Sequence, residues 1–388
     1  MVSDIRVEAG LAKGSLGDST VFQRKAEYEA FTHRAVRSDM FAELVRNNRA
    51  YRHVGRFLFH VVLVAALSLG ESLLTKLPIV LGMAAYMLFL HVHGLVVAGM
   101  MVHAHELSHD HIKKKWVNDL IGILSGLACF INFYSFQFAH RFHHQNIGNM
   151  DAPESGAPVS PTGQAKLRNG DLGDKLMARV ATWSPYLWML TAWPIHVVFG
   201  DYSSWLLPFR HRGRWDGKSI AVFAFMALVH GALMVASPFH YLFLVALPGV
   251  VGGSRILAVT YLHHAHEDSV FFNSKHHNFF SVVMANTDRD YGPVVNFFML
   301  NNGYHIPHHM NPHIAYYDLP RASAYLRGTI PEGLKYNSYP ESDLFRDLAA
   351  GQYEKRLEVD CDWVQIAYRS SSAQNSSVRP AVGGLTHA

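Results

Sequence analysis

Residues 77–102 read LPIVLGMAAYMLFLHVHGLVVAGMMV, and residues 103–111 read HAHELSHDH. The first stretch is apolar except for one tyrosine, two histidines and a proline, and a transmembrane helix needs about 20 predominantly apolar residues to cross the hydrocarbon core of a bilayer. The second stretch concentrates metal-binding side chains directly behind that helix. The sequence therefore predicts a membrane-spanning helix that ends in a histidine cluster.

Three other apolar stretches are long enough to span a bilayer, namely residues 57–74, 219–236 and 241–262. Basic residues precede the first and third of the four stretches and follow the second, and such residues face the cytoplasm in membrane proteins. We predict an all-α integral membrane protein with four transmembrane helices, arranged as two hairpins with both termini in the cytoplasm. These basic clusters would face anionic lipid head groups and account for the net charge of +4, so no nucleic-acid partner is expected.

Two further apolar stretches, residues 117–138 and 177–207, are broken by small or polar residues and by Pro185 and Pro194. We expect both to form interfacial or re-entrant helices rather than spans. All histidine clusters would then meet at the cytoplasmic face, in a cytoplasmic cap that carries a histidine-ligated dimetal site.

The chain divides by composition into three segments. We expect residues 1–50 to form a cytoplasmic N-terminal segment, because they are polar and contain no cleavable apolar signal. Residues 51–330 would form the membrane domain with the histidine clusters, and residues 331–388 a cytoplasmic C-terminal segment. The tail from about residue 370 is rich in Ser, Gly, Asn and Ala and is expected to be disordered.

The pattern H-x-x-H-H occurs twice, in residues 140–144 and 305–309. Residues four apart share one face of a helix, so His105 and His109 would converge, and each repeat would add one histidine from an adjacent face. Together with His264 these histidines supply nine nitrogen donors, too many for one tetrahedral zinc. Two five- or six-coordinate ions would use them, and two redox ions held by histidine at a membrane favour oxygen activation with iron.

Several motifs resemble, in order and spacing, those of the membrane fatty acid desaturase superfamily, and most closely those of acyl-lipid desaturases. Residues 105–109 (HELSH) and 140–148 (HRFHHQNIG) resemble the first two histidine boxes of the family, and residues 301–309 (NNGYHIPHH) resemble the third. Residues 260–266 (TYLHHAH) resemble the segment at the end of the family's fourth span. The likeness covers more than half of the chain, and the boxes are specific as an ordered set.

The resemblance implies a membrane enzyme that uses two iron ions, O2 and two electrons to introduce a double bond into an aliphatic chain, in the first place a fatty acyl chain. The electrons would come from a separate donor of the ferredoxin or cytochrome b5 type, because the chain has no H-P-G-G segment and no suitable cysteine set. Lipids would be both substrate and surroundings. The ligand role then carries over to these histidines: His105, His109, His140, His143, His144, His264, His305, His308 and His309.

Three polar residues beside the boxes are candidates for orienting imidazoles by hydrogen bonding: Glu106, Asp110 and Asn146. The chain also has more histidines than the family pattern requires, which leaves the choice among His263, His264 and His266 open. The other surplus histidines are His103, His111, His276 and His277.

Other functions remain open at the level of sequence. A hydroxylase, ketolase or acetylenase of the same superfamily would use the same boxes, on a lipid or on a small amphipathic metabolite. Residues 105–109 also match H-E-x-x-H, in which a glutamate serves a zinc protease as general base, but that function leaves the H-x-x-H-H repeats unused. A metal transporter or store would place more ligands inside its spans and would mix in carboxylates.

Overall fold

The computed structural model describes residues 24–149, 187, 193–194, 216–264, 269–272, 274–339, 355–359 and 363–368. His266, most of residues 177–207 and the tail from residue 370 lie outside the described residues, so the expectations for them stay predictions. In the described chain the helices are α1 Lys25–Val36, α2 Asp39–Arg46, α3 Ala50–Leu74, α4 Ile79–Leu107, α5 Lys115–Ala128, α6 Phe133–Asn146, α7 Gly217–Ala236, α8 Pro238–Tyr241, α9 Leu247–His264, α10 Val282–Ala285, α11 Gly292–Phe298, α12 His305–Met310 and α13 Leu319–Thr329.

Four helical segments are long and apolar enough to cross a membrane: α3, α4, α7, and Pro238–His264, which joins α8 to α9 through a π-helical turn at Leu242–Ala246. Their mean hydropathies lie between 1.9 and 2.2. Apolar side chains on their outer faces are exposed, as with Val80 at 78% and Val235 at 83%, which suits contact with lipid tails. The prediction of a mostly helical integral membrane protein with four candidate spans is confirmed.

The second span, α4, packs against both α3 and α9. Small residues allow this close approach, as is common between membrane helices. A Cβ atom on Gly252 of α9 would lie 2.9 Å from the backbone nitrogen of Ala98 in α4, and one on Gly99 would collide with the His60 ring of α3 and the carbonyl of Phe298. The C-terminal ends of α4 and α9 therefore lie side by side, and both ends carry histidines.

Polar side chains inside the spans pair with one another. The Nδ1 atom of His93 lies 3.0 Å from a carboxylate oxygen of Glu71, and both side chains are buried. Arg255 hydrogen-bonds the ring of His91 at 3.1 Å. Such partners fit the interpretation of His91 and His93 as helix-packing residues, since unpaired polar groups are costly in a bilayer.

Helices α5 and α6 form a bent pair beside the spans. Their axes differ by 97° at the break between Ala128 and Phe133, and each has 14 residues, about 21 Å of helix and too short to cross a bilayer alone. The side chain of Asn132 accepts a hydrogen bond from the backbone nitrogen of Ser135 and so caps α6. A bent pair of this kind is either a re-entrant pair, as expected for residues 117–138, or one broken span, so the expectation stays a prediction.

The expectation of an all-α chain was wrong in detail, because short strands lie outside the spans. Strands β1 Val270–Phe272, β5 Trp363–Tyr368 and β4 Lys355–Val359 form an antiparallel sheet in that order, and β2 Asp288–Arg289 pairs in parallel with β3 Ser338–Tyr339. Strands β1 and β5 are rich in β-branched and aromatic residues. They are too short for their alternation to be distinguished from loop sequence.

Candidate metal centre

Four helices bring the predicted ligands to one place. His105 lies near the C-terminal end of α4 with His109 just beyond it, and His264 is the last residue of α9. Helix α6 carries the first H-x-x-H-H repeat and α12 the second. Seven of the nine histidines are buried, His105 and His143 are partly exposed, and His305, His308 and His309 are almost fully buried.

The nine predicted ligands form two groups whose nitrogen atoms lie within 4.8 Å of one another. Group one consists of His105, His109, His140, His144 and His308. Group two consists of His143, His264, His305 and His309. No other group of this kind occurs in the described part of the chain.

Helical spacing explains how each H-x-x-H-H repeat divides between the groups. The first and last histidines of a repeat are four apart and share a face, whereas the middle one points to the neighbouring face. In α6, His140 and His144 therefore belong to group one and His143 to group two. In α12 the assignment is reversed, because His305 and His309 belong to group two and His308 to group one.

The Nε2 atoms converge at the centre of each group. In group one, the Nε2 atom of His140 lies 3.0 Å from the Nε2 atoms of both His109 and His144, and that of His144 lies 3.1 Å from that of His308. In group two, the Nε2 atom of His305 lies 3.1 Å from that of His264 and 2.9 Å from that of His309. The two groups touch, since the rings of His144 and His309 stack with centroids 4.2 Å apart.

These separations allow several nitrogen atoms in each group to bind one ion, because metal–nitrogen bonds are about 2.1 Å long. Group one alone offers five donors, more than tetrahedral zinc uses. The Nε2 atom of His105 in group one is buried and has no hydrogen-bond partner among the described residues, so a metal would supply the partner that it lacks. The donor set therefore fits two ions of five or six coordination better than tetrahedral zinc.

Burial favours the neutral form of three ligand imidazoles, those of His140, His143 and His309. It lowers the pKa of His143 to about 3, and burial followed by the neighbouring imidazoles lowers the pKa of His140 and His309 well below the usual value. Metal ligation requires the neutral imidazole, whose free lone pair binds the ion. At neutral pH these groups are ready to bind a cation.

Glu106 lies behind the first box and not in the centre of a group. One of its oxygens is 3.6 Å from Nδ1 of His105, the other is 3.6 Å from Nε2 of His111, and the backbone nitrogen of Tyr316 donates to it at 3.1 Å. A carboxylate at the Nδ1 side of a ligand orients the ring and makes its Nε2 more basic. A protease glutamate would instead act at the metal-bound water, so this position does not suit the H-E-x-x-H protease hypothesis.

Asp110 and Asn146 have partners other than ligand imidazoles. Asp110 accepts hydrogen bonds from Arg141 at 2.6 Å and from Lys115 at 3.0 Å. The side-chain amide of Asn146 donates to the carbonyl of Phe142 at 2.9 Å. Asp110 thereby ties α6 to the end of α4, and a direct role toward the imidazoles stays a prediction for both residues.

The surplus histidines fall outside both groups. His103 contacts His60 at 3.3 Å, and the Nδ1 atom of His111 lies 3.0 Å from the side-chain amide of Asn48. The ring of His263 stacks on that of His305 with centroids 4.2 Å apart. Of the two described candidates at the end of α9, the structure therefore brings His264 into a group and His263 beside it.

Asp288 supports the third box and was missed by the sequence analysis. Its buried carboxylate accepts a hydrogen bond from the backbone nitrogen of Ile306 at 2.7 Å, which holds the first turn of α12, and others from the hydroxyls of Ser323 and Tyr336. Burial raises the pKa of this carboxyl to about 6 despite these donors. A single aspartate in a polar stretch carries no spacing signal that would have identified it.

Comparison with known proteins agrees with this arrangement. The fatty acid desaturase family model matches residues 82–340, which include all nine histidines. The chain belongs to the fatty acid desaturase family. This desaturase-family protein is thus an oxidoreductase of lipid metabolism with membrane helices, as the resemblance implied.

Curated relatives include enzymes with different reaction outcomes. The chain is 26% identical over 256 residues to an sn-1 acyl-lipid omega-3 desaturase (ferredoxin) of a Nostoc species, covering 63% of this chain and 68% of that protein. It is 24% identical to a Delta(12)-acyl-lipid-desaturase of Punica granatum, covering 73% and 76%. It is also 22% identical to an oleoyl-12-hydroxylase of Ricinus communis, covering 67% and 70%.

Proposed function

We propose that this desaturase-family protein introduces a double bond into an aliphatic, fatty acyl chain, using O2 and two iron ions held by the two histidine groups. The observation that carries the proposal is the division of nine histidines into two touching groups. Iron bound there would supply the oxidising power needed to break an unactivated C–H bond.

The residues of the chain contribute positioning and exclusion of water. Helices α4, α6, α9 and α12 fix the imidazoles, and Asp288 holds the first turn of α12. Glu106, 3.6 Å from Nδ1 of His105, would orient that ring. The buried surroundings of the groups keep bulk water from the reacting carbon. Five histidines in group one and four in group two leave more room for exogenous ligands at group two.

Electrons would come from a separate donor of the ferredoxin or cytochrome b5 type. One relative carries ferredoxin in its name. Arg141, one residue from His140, is 49% exposed although it pairs with Asp110 at 2.6 Å, and its remaining donors could contact an acidic donor protein.

The sidedness that we propose follows from charge. Basic residues flank the histidine-bearing ends of the spans, including Arg52, Arg56 and Lys115, and the positive-inside rule assigns that end to the cytoplasm. The active site and both termini would then lie on the cytoplasmic face, and the spans would form two hairpins.

Hydroxylation is the second candidate function. It is favoured by the match to the oleoyl-12-hydroxylase of Ricinus communis, since the same metal centre can deliver oxygen to the carbon instead of removing a second hydrogen. The position of the substrate carbon would decide between these outcomes.

The test is lipid analysis of cells that express the protein. Mass spectrometry of lipid extracts should reveal acyl chains that lack two hydrogens with the wild type, and none with His143→Ala. His240→Ala, an exposed histidine outside both groups, is the matched control and should behave as the wild type. Gain of one oxygen atom would assign the hydroxylase function, and unchanged lipids with an iron-loaded protein would contradict both.

A further inference from the structure

A cavity of about 740 Å³ lies beside the metal centre, outside both histidine groups. Its wall includes Arg56 of α3, Asn296 and Phe297 of α11, and Tyr304 and Tyr316. Ligand sites in proteins have volumes of about 300–1,000 Å³. The cavity is large enough for the polar head of a lipid.

An arginine in the wall of the cavity, Arg56, does not use all of its hydrogen-bond donors. The Nη2 atom of Arg56 donates to the carbonyl of Phe297, and its guanidinium lies 3.4 Å from the centroid of the Phe297 ring. Its Nε atom is buried and has no hydrogen-bond partner in the described chain. No carboxylate of the described residues pairs with this arginine. Arg56 is only partly buried, so the N–H groups of its Nη atoms can donate to a phosphate in the cavity.

Among the described residues that line the cavity, the single carboxylate, that of Asp290, is already engaged by the protein. Asp290 accepts hydrogen bonds from the backbone nitrogen of Gly292 at 2.9 Å, from the amide of Asn296 at 2.6 Å and from the hydroxyl of Tyr304 at 3.0 Å. These donors disperse its charge and fix the wall of the cavity. Arg56 therefore remains the group that is available to an incoming anion.

The cavity lies at the depth of lipid head groups. Arg56 is in the second turn of a membrane span, close to its polar end. Exposed apolar side chains surround this region, with Phe59 at 38%, Val294 at 63% and Phe297 at 47% exposure. Arginine and aromatic side chains at the end of a span are typical of the bilayer interface, where the phosphate of a membrane lipid is found.

Two residues in the wall of the cavity adjoin the metal centre. Tyr304 immediately precedes His305 of group two. The backbone nitrogen of Tyr316 donates to Glu106, whose other oxygen faces His105 of group one. A head group bound here would sit at a fixed position relative to both groups and would set which carbon of its acyl chain reaches them.

We propose that this cavity, with Arg56 as its anion-binding group, recognises the phosphate of a phospholipid that carries the acyl substrate. The proposal rests on the proposed function and deepens it, since it assigns the substrate to phosphate-bearing acyl lipids and not to neutral glycolipids.

The test measures lipid binding directly. Iron-loaded protein in a neutral detergent is titrated with phosphatidylglycerol, phosphatidylcholine and a neutral glycosyl diacylglycerol of identical acyl chains, and bound lipid is counted by native mass spectrometry. We expect the wild type to bind both phospholipids about tenfold more tightly than the glycolipid, which corresponds to about 1.4 kcal/mol. Arg56→Gln should abolish this preference, and Arg52→Gln, an exposed arginine one turn earlier that stacks on Tyr317, should retain it.

Several outcomes would overturn the proposal. Equal binding of phospholipid and glycolipid by the wild type would refute it without any variant, even if Arg56→Gln does not fold. A preference that persists in a folded Arg56→Gln protein would place the recognition elsewhere. A third arm uses inorganic phosphate alone, and Arg56-dependent binding of phosphate without discrimination among lipids would refute the assignment to a lipid. Iron content and lipid products, measured on the same samples, report separately on the proposed function.

Discussion

Replacing Asp288 with asparagine should change the pH dependence of stability. Burial raises the pKa of this carboxyl from 3.8 to about 6, so the folded protein retains a proton that the unfolded chain has already released. Between these values the folded state binds more protons, and the free energy of unfolding therefore falls as the pH rises. At about 1.4 kcal/mol for each pKa unit, the loss amounts to about 3 kcal/mol and is complete above about pH 6.

The assay compares unfolding of the wild type and Asp288→Asn in detergent across this pH range. Asparagine does not titrate but can still accept the hydrogen bond from the backbone nitrogen of Ile306. The stability of the wild type relative to the variant should therefore fall by about 3 kcal/mol from below pH 4 to above pH 6. Titration of the other groups is common to both proteins and cancels in the difference.

The same substitution at the exposed Asp39 of α2 is the matched control. The difference in free energy of unfolding between Asp39→Asn and the wild type should not show the fall between pH 4 and pH 6. If the stability of the wild type relative to Asp288→Asn stays constant or rises with pH, the argument is refuted that burial affects the pKa of this carboxyl more than its three hydrogen-bond donors do.

Two further predictions concern the support of the site and the packing of the spans. Glu106→Gln should weaken iron binding about 10- to 100-fold, because a neutral amide orients His105 less strongly. Titration with a chelator measures the affinity for iron, and Glu43→Gln on α2 is the control. Unchanged iron binding in Glu106→Gln would contradict the role of this residue. Gly99→Ala should lower the free energy of unfolding by about 1–3 kcal/mol through overpacking. Gly231→Ala should not lower it, because a Cβ there would meet nothing within 4 Å. Equal melting temperatures of the two variants would contradict the close packing described at Gly99.

The spans could be predicted because hydropathy is a local property. Residues 77–102 were expected to cross the membrane, and the helix runs from Ile79 to Leu107. The added turns at its end carry histidines, which lower the hydropathy but continue the helix beyond the apolar stretch. The convergence of His105 with His109, and the separate position of one histidine in each repeat, followed equally from local spacing, since residues four apart share a helical face.

Features formed between distant segments could not be predicted. Asp288 and Ile306 are far apart in the chain, and their contact depends on how β2 and α12 pack. Glu71 and His93 pair with each other and so join two apolar stretches. In the sequence, each of them is visible only as a polar interruption of its own stretch. A single polar residue has no period, so such partners become visible only in three dimensions.

The cavity beside the site was hidden for the same reason. Arg56 was one of several basic residues before the first span, and its charge was interpreted only as a signal of orientation. Its position against Phe297, more than two hundred residues later, distinguishes it from the exposed Arg52.

Elemental analysis of detergent-purified protein tests the central claim most directly. Two histidine groups predict about two iron ions per chain, with loss of iron in His143→Ala of group two and in His308→Ala of group one, and no loss in the exposed His240→Ala. A single zinc ion per chain that survives both substitutions would contradict the dimetal centre and, with it, the proposed oxygen chemistry.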